Sequence, residues 1–210
     1  MADAPPPPSR LTQAQRREES TLRLHRAFAD LVCEQGYTRT TAAEIGERAG
    51  YSRNMVRDRF GSKQNLFYDV VFAAFTTPEP RRSAEEGTGL QRVLHMVDSV
   101  RKRAERSPEA VRATSIVTFE AVASNDPLAR VVLAGIADYL DRRTRHIADG
   151  IADGSIRADV DPRAEAEILQ AEEMGVAFDD LMGLSGRPLP ELLAIWRAEV
   201  EARLSAEVRR

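Results

Sequence analysis

The chain has 210 residues, of which 42% are hydrophobic and 30% are charged, a composition typical of soluble globular proteins. Its formal net charge is −3, and it contains no apolar run near the roughly 20 residues of a membrane-spanning helix. A single cysteine excludes an intramolecular disulfide, and three separated histidines offer no metal-binding spacing. We therefore expect a cytoplasmic protein with no membrane segment, no metal and no cofactor.

Prolines and charges divide the chain into three parts. Residues 1–14 include four consecutive prolines and are predicted to form a disordered tail. Residues 10–77 carry 11 Lys and Arg against 8 Asp and Glu, whereas residues 78–210 carry 19 against 24. This asymmetry favours a polyanionic partner for the front, although a charge imbalance is more often a solvated surface. We place a front domain at residues 15–77 and a rear domain at residues 78–210.

The front domain is predicted to contain four helices. The first covers residues 15–33, where apolar residues recur at helical spacing. The second begins with a capping box formed by Thr41 and Glu44. Ser52 is placed to cap the third helix and Ser62 to cap the fourth, because a serine oxygen can accept from the free amides of the first turn.

The third helix is short and concentrates cations. Val56 and Phe60 are four residues apart and point inward, so Arg53, Asn54 and Arg57 fall on the opposite face. Two short helices joined by a glycine turn, of which the second exposes cations, predict a helix-turn-helix whose second helix enters the major groove of DNA. The alternative is an ordinary helical core with a solvated arginine face.

The segment EQGYTRTTAAEIGERAGYSRNMVRDRFGSKQNLF, residues 34–67, resembles the TetR-type transcriptional regulators. The positions that match the pattern of that family are Gly36, Tyr37, Thr41, Ile45, Ala49, Gly50, Ser52, Phe60, Ser62, Lys63 and Leu66. The resemblance implies a double-stranded DNA operator as the partner. The residues that it implies for DNA contact are Thr41, Ser52, Arg53, Asn54, Met55, Arg57, Arg59 and Lys63.

The third helix departs from the usual pattern of that family. Where Gly-Thr-Leu-Tyr is common, this chain has Asn54, Met55, Val56 and Arg57, and Arg59 stands where a histidine is common. Arg57 is a candidate for either a phosphate contact or a guanine contact. Met55 cannot donate a hydrogen bond, so we expect it to make an apolar contact with a thymine methyl group instead.

The rear domain is predicted to be helical throughout, which makes the protein all-α. One helix starts near Leu90 and ends before Pro108, and the next continues to about residue 123. Asp126 and Asp161 are each followed by a proline and are predicted to cap the next two helices. These two helices are expected over residues 127–150 and 162–182, and a final helix is expected over residues 190–206.

The last two helices carry apolar residues on more than one face. A stripe over residues 168–182 includes Ile168, Ala171, Gly175 and Phe178, while other apolar residues of the same helix lie off this stripe. One apolar face is enough for a helix at the surface of a single domain. The alternative is burial within one domain, but the resemblance implies a homodimer built from these two helices.

The resemblance also implies that the rear domain binds a small-molecule effector between its middle helices. The candidate lining residues are Met96, Ser115, Phe119, Tyr139, Met174 and Phe178, although a Met or Phe at helical spacing is more often a core residue. The polar residues Thr118, Glu120 and His146 are further candidates to orient a ligand, or are satisfied locally.

Catalysis is not expected, because the carboxylate pairs 172–173 and 179–180 are adjacent residues that face different directions on a helix. The resemblance instead implies a repressor that the effector releases from a palindromic operator. The alternative is a ligand-binding or protein-interaction dimer whose helix-turn-helix no longer reads specific DNA.

Overall fold

The computed structural model describes residues 12–75, 86–123 and 127–206. In these three segments the chain is helical and has no strand, apart from one isolated antiparallel bridge between Ile156 and Ser205, so the all-α prediction is confirmed. The helices are α1 Gln13–Gln35, α2 Ala42–Arg48, α3 Met55–Phe60, α4 Lys63–Phe75, α5 Gly89–Arg106, α6 Pro108–Val122, α7 Pro127–Ala152, α8 Pro162–Met182 and α9 Leu189–Leu204.

The front helices begin where side chains satisfy the free backbone amides. Thr12 forms a capping box with Gln15, so α1 starts inside the predicted disordered tail; residues 1–11 lie outside the described residues. Thr41 and Glu44 form the predicted capping box of α2. Ser62 accepts from the backbone amide of Asn65 at 3.0 Å, which confirms it as the start of α4.

The prediction that Ser52 caps the third helix is wrong. Helix α3 begins at Met55, and its N-cap is Asn54, which makes no side-chain cap hydrogen bond. The backbone amide of Met55 instead bonds to the carbonyl oxygen of Ser52 at 3.0 Å. Residues 52–54 therefore belong to the turn that precedes the helix, and the hydrogen bond from Met55 to the Ser52 carbonyl closes this turn.

The front hydrophobic core extends beyond the front helices. Phe28, Ile45 and Val56 are fully buried in it, and so are Ala113 and Val117 of α6. The predicted domain boundary after residue 77 lies outside the described residues. The sequence analysis assigned α6 to the rear domain, but α6 supplies part of the front core. The boundary between the two hydrophobic cores therefore does not coincide with the predicted domain boundary.

A second core joins the rear helices α5 to α9, and its fully buried members include Leu169, Leu193 and Leu204. Helix α8 starts as predicted, because the Asp161 carboxylate accepts from the amides of Arg163 and Ala164 at 2.9 Å. The predicted cap Asp126 lies outside the described residues. No helix in the described part of the chain is both long enough and apolar enough to cross a membrane.

Helices α5 and α7 meet at a pair of glycines. A Cβ atom added to Gly89 would overlap the backbone of Gly150 and the carbonyl oxygen of His146, whereas a Cβ atom at Gly135 in the interior of α7 meets nothing within 4 Å. The first glycine is therefore required by the close approach of two backbones, and the second is not.

We expect Gly89→Ala to lower the free energy of unfolding by about 2 kcal/mol or more, because neither backbone can yield to an added methyl group. Gly135→Ala is the matched control and should raise that free energy by about 0.5–1 kcal/mol, since alanine loses less conformational entropy in a helix. Urea unfolding of the two variants measures both values. Equal effects of the two substitutions would contradict the close α5–α7 contact.

Candidate functional site

The exposed face of α3 and of the turn before it presents polar and cationic side chains. Ser52, Arg53, Asn54 and Arg57 are exposed, while Val56 on the other side of the helix is fully buried. Arg53, Asn54 and Arg57 are therefore exposed as the spacing predicted, and Ser52 is exposed beside them. The arrangement suits insertion into a DNA groove, because long donors point outward from a helix that is anchored on its opposite side.

Arg53 is held only loosely. Its Nε atom lies 3.2 Å from the Glu47 carboxylate, and both side chains are more than half exposed. An exposed ion pair of this kind contributes little to stability, so a phosphate group can replace Glu47 at low cost.

Two glycines set the geometry between α2 and α3. A Cβ atom on Gly46 would overlap the carbonyl oxygen of Ser52, so the turn can approach α2 only because residue 46 is glycine. Gly50 adopts a φ of 80°, which an L side chain rarely adopts. The sequence indicated the role of Gly50 but not that of Gly46, because a glycine inside a short helix gives no local signal of a close neighbour.

Arg59 and Lys63, which the resemblance implied as DNA contacts, have partners within the front helices. The Arg59 guanidinium donates to the hydroxyl of Ser20 and, at 2.5 Å, to the carbonyl oxygen of Arg17 on α1. The Lys63 ammonium donates at 2.7 Å to the carbonyl oxygens of Tyr37 and Thr40. Both cations stabilise the packing of the front helices, and they turn inward because backbone acceptors lie within reach.

The two remaining DNA candidates have local partners. The Thr41 hydroxyl lies 2.7 Å from the Glu44 carboxylate as part of the α2 capping box. Met55 is half-buried and packs against the front core, so only part of its side chain is available to a thymine methyl group. DNA contact by Thr41 or Met55 stays a prediction.

A cavity of about 1650 Å³ lies between α4 and the rear helices. Met96, Ser115, Tyr139 and Met174 line it, together with Thr118 and His146. Its wall also includes residues 67–69 of α4, so the cavity borders the helix that follows α3. The volume exceeds the roughly 300–1,000 Å³ of common small-molecule sites, which leaves room for a large ligand.

Phe119 and Phe178, which the sequence placed in the ligand site, do not line this cavity. Their rings meet edge to face with centroids 6.2 Å apart, and Phe178 is half exposed. Helical spacing could not distinguish the two faces of α6, one of which lines the cavity and the other of which contacts the outer side of α8.

The cavity wall contains buried polar atoms that lack partners among the described residues. These include the Tyr139 hydroxyl, the Nδ1 atom of His146, Oε1 of Gln170 and Nε of Arg92. Burial raises the pKa of Tyr139 to about 12, so its hydroxyl keeps its proton at neutral pH. Burial, and then the charge of Arg92, lowers the pKa of His146. In the described part of the chain, no group of three His, Cys, Asp or Glu residues is arranged to hold a metal ion.

Glu120 lies outside the large cavity and contacts the front domain. Its carboxylate accepts from the backbone amides of Tyr37 and Thr38 at 2.9 Å and from the Thr38 hydroxyl at 2.8 Å. These bonds join α6 to the turn between α1 and α2. Sequence reasoning treated Glu120 as a possible ligand contact, because partners that are 82 and 83 residues away give no signal in the sequence.

Helices α8 and α9 leave an apolar surface exposed. Ile168, Phe178 and Met182 of α8 are 48%, 50% and 58% exposed, and Ile195 of α9 is 47% exposed. Gly175 lies on the same face of α8 and has no neighbour within 4 Å of an added Cβ atom. This surface is the second apolar face that the sequence predicted.

A family model matches the front helices of the chain. Residues 26–70 match the family described as "Bacterial regulatory proteins, tetR family". No curated protein matches the chain at a significant level.

Several solved structures share the fold along nearly the whole chain. The MbdR regulator from Azoarcus sp. CIB is 18% identical with a TM-score of 0.68, over 86% of this chain and 96% of that one. The ketosteroid transcriptional regulator KstR2 of Mycobacterium tuberculosis is 17% identical with a TM-score of 0.66, over 94% and 98%. FadR from Bacillus subtilis, solved in complex with stearoyl-CoA, is 14% identical with a TM-score of 0.66, over 87% and 98%.

We expect Arg57→Ala to weaken binding to DNA from the region upstream of the gene by about 1–3 kcal/mol if Arg57 contacts a base. If Arg57 contacts a phosphate, the affinity for every sequence should fall equally, and the slope of log affinity against log salt should decrease by about one. Fluorescence anisotropy over a range of salt concentrations measures both quantities.

Arg59→Ala is the matched control for the same titration. It should lower the free energy of unfolding by about 1–3 kcal/mol, because it removes two hydrogen bonds to α1, and should leave the salt slope unchanged. An Arg57 variant with the affinity and slope of the wild type would remove Arg57 from the DNA-contacting surface.

Proposed function

We propose that this chain, whose residues 26–70 match the tetR family of bacterial regulatory proteins, is a DNA-binding transcriptional regulator, and that it acts as a homodimeric repressor that a small-molecule ligand releases from a palindromic operator. The observation that carries this proposal is the position of α6. This helix forms part of the cavity wall and part of the front core, and it also holds the turn before α2.

The three roles of α6 lie on different sides of one helix. Thr114, Ser115 and Thr118 face the cavity, while Ala113 and Val117 are fully buried in the front core. A ligand that moves α6 must therefore also move the front core. Glu120, at the C-terminal end of the same helix, transmits the movement to the turn between α1 and α2 through three hydrogen bonds.

The C-terminal end of α8, one of the two helices proposed to form the dimer, is also bonded to α6. Arg112 donates to both oxygens of the Asp180 carboxylate, at 2.8 and 3.2 Å, and this carboxylate is buried. A bidentate pair with one buried partner holds a defined geometry. A shift of α6 is thus communicated both to the DNA-binding helices and to the surface through which the two subunits would meet.

The proposed dimer explains the exposed apolar surface of α8 and α9. Two copies would cover Ile168, Phe178 and Ile195, whose exposure in one chain is unfavourable in water. A two-fold axis would place two α3 helices in successive major grooves when they are about 34 Å apart. A ligand that alters this spacing changes DNA affinity, provided that it binds the two dimer conformations unequally.

The alternative, a dimer whose helix-turn-helix no longer reads DNA, has less support. The departures from the family pattern at residues 54–57 leave Asn54 and Arg57 exposed on the outer surface of the helix. The family match also supports a regulatory role rather than catalysis.

We expect Phe178→Arg to convert the dimer to a monomer, because it would bury an unpaired charge in the interface. Leu133→Arg is the matched control: Leu133 is 49% exposed and belongs to α7 rather than to α8 or α9, so its substitution should leave the dimer intact. Light scattering at micromolar concentration measures the molar mass of each variant and of the wild type. A monomeric wild type would contradict the dimer and, with it, the palindromic operator.

We expect a ligand of the cavity to lower operator affinity by about 5- to 150-fold, which corresponds to a typical allosteric coupling. Linkage requires operator DNA to weaken ligand binding by the same factor, so both titrations are needed at one fixed salt concentration. The ligand can be sought by native mass spectrometry of protein purified from its own host. A ligand that fills the cavity and leaves operator affinity unchanged would contradict the proposal.

In Glu120→Ala the same ligand should bind as before but release the operator less, because α6 is no longer bonded to the turn between α1 and α2. Glu109→Ala, at the exposed start of the same helix, is the control and should keep the full release. A Glu120 variant that releases the operator as the wild type does would show that the bonds of Glu120 to the α1–α2 turn do not couple ligand binding to DNA release.

A further inference from the structure

The large cavity follows α7 from the front core to the start of α5. Leu128, near the beginning of α7, is buried in the front core, and near the other end of α7 the backbone of Gly150 lies against Gly89 of α5. The α7 residues that line the cavity extend from Val131 to Asp149. At about 1.5 Å per residue, this stretch of helix is roughly 27 Å long. The cavity is therefore elongated along α7.

The two halves of this α7 lining differ in polarity. In the half beside the front core, the lining residues of α7 are Val131, Val132, Gly135 and Ile136. In the half beside α5, they include Asp138, Tyr139, Arg142, Arg145, His146 and Asp149. The first half can bury hydrocarbon, whereas the second can form hydrogen bonds. A ligand that fills both halves must be apolar at one end and polar at the other.

The hydroxyl groups that α6 contributes to the cavity are already used within that helix. Thr114, Ser115 and Thr118 each donate to the carbonyl oxygen four residues earlier, at 2.8, 3.1 and 2.8 Å. Each hydroxyl has one hydrogen to donate, so these groups have none left for a ligand. Helix α6 shares the front core with the beginning of α7, and it therefore suits the apolar end of a ligand.

The polar half of the cavity contains buried polar atoms that have no partner among the described residues. They include Nε of Arg92, Nδ1 of His146 and Oε1 of Gln170. A buried polar atom without a partner costs free energy until one arrives. A ligand group that both donates and accepts hydrogen bonds would recover this free energy.

Gln170 and His146 lie close to one ion pair that joins α8 to α7. In this pair Arg143 donates to Glu173 at 2.6 Å. His146 is three residues from Arg143, and Gln170 is three residues from Glu173. Residues with this spacing are neighbours on the surface of a helix. We therefore assign both side chains to one polar end of the cavity.

The charged groups of the lining balance each other in number. The eight residues are Arg92, Arg103, Arg142, Arg145, Asp69, Asp138, Asp149 and Glu173. Each of the four carboxylates lies within 3.5 Å of an arginine or histidine nitrogen. Burial, and then the charge of Arg92, lowers the pKa of His146, so its imidazole is uncharged at neutral pH. A charged ligand would meet no net charge of the opposite sign, and burial of an unpaired charge is costly.

We propose that the effector is an uncharged, elongated amphiphile, whose hydrogen-bonding end is held by Gln170 and His146 and whose apolar end lies between α6 and the beginning of α7. This assignment rests on the proposed function, since it names the class of ligand for the same cavity. Hydroxyl and amide groups share the chemistry that the polar end recognises, because each can donate and accept a hydrogen bond. The apolar end would contact the helix that connects the cavity to the front core.

Three compounds with one tail test the charge of the ligand. Decanol is uncharged, decanoate is an anion and decylammonium is a cation. Each is titrated below its micelle-forming concentration against the uncharged fluorescent probe N-phenyl-1-naphthylamine bound to the full chain. We expect decanol to displace the probe with an affinity about tenfold or more above that of either ion, because the ions lose hydration without gaining a counter-charge.

Gln170→Leu tests the polar end. Decyl methyl ether cannot donate a hydrogen bond, so the wild-type protein should prefer decanol over the ether by about 2- to 12-fold, the range that one net hydrogen bond supplies. The variant should lose this preference and still bind the ether. Glu167→Leu, an exposed position one turn earlier on α8, is the matched control and should keep the preference.

Gly135→Phe tests the orientation of the ligand. Gly135 lines the apolar half, and an added Cβ atom meets nothing within 4 Å, so the fold can accept the larger side chain. The ring should weaken binding of decanol about tenfold or more by displacing two or more methylene groups, each of which contributes about fourfold. Hexanol, whose shorter tail does not reach this half, should bind as before. Ala134→Phe, at an exposed neighbouring position, is the control and should affect neither alcohol.

The outcomes separate this proposal from the proposed function. If either ion binds as tightly as decanol, or if Gln170→Leu keeps the preference over the ether, the uncharged class is wrong and the ligand-binding cavity stands. If Gly135→Phe weakens hexanol and decanol equally, the assigned orientation is wrong. If the probe does not bind, or if no decyl compound displaces it, the cavity is not the ligand site and the proposed release mechanism fails with it.

Discussion

The structure depends on one helix that belongs to both hydrophobic cores. Ala113 and Val117 of α6 are fully buried among the front helices, and the next turns of the same helix face the cavity. Because packed interiors are dense and deform little, a displacement of α6 cannot be absorbed inside either core. The carboxylate of Glu120 adds a directional constraint, since it bonds the end of α6 to the turn before α2. The DNA-binding helices and the cavity are therefore mechanically one unit, although the sequence divides them.

The distribution of charge and apolar surface follows from the same arrangement. The outer face of α3 keeps its cations exposed, where a polyanion can reach Arg53 and Arg57, while Arg59 and Lys63 are used to hold α1 and the α1–α2 turn in place. In the rear domain four arginines line the cavity beside four carboxylates. These arginines are stable there because carboxylates on neighbouring helices offset their charge.

The local structure of this protein follows from residues that are close along the chain. The capping boxes at Thr41 and the aspartate cap at Asp161 placed helix starts to within a residue or two, because such caps depend only on neighbours three residues away. Helical periodicity identified Val56 as buried and Arg57 as exposed for the same reason. The motif over residues 34–67 lies within the segment that matches a family model, and apolar spacing predicted the second apolar face of α8 that the structure leaves exposed.

Which helix faces contact each other depends on how the helices pack. The resemblance implied Phe119 and Phe178 as ligand-site residues, but their rings contact each other outside the cavity. Helical spacing shows which residues share a face of a helix but does not show what that face contacts. The sequence suggested Ser52 as a cap, and the packing of the turn against Gly46 made it part of the turn instead. Glu120 and Arg143 have their roles through side chains and backbone groups that lie tens of residues away. Contacts of this kind are set by how helices pack, and a single sequence records only what is close along the chain.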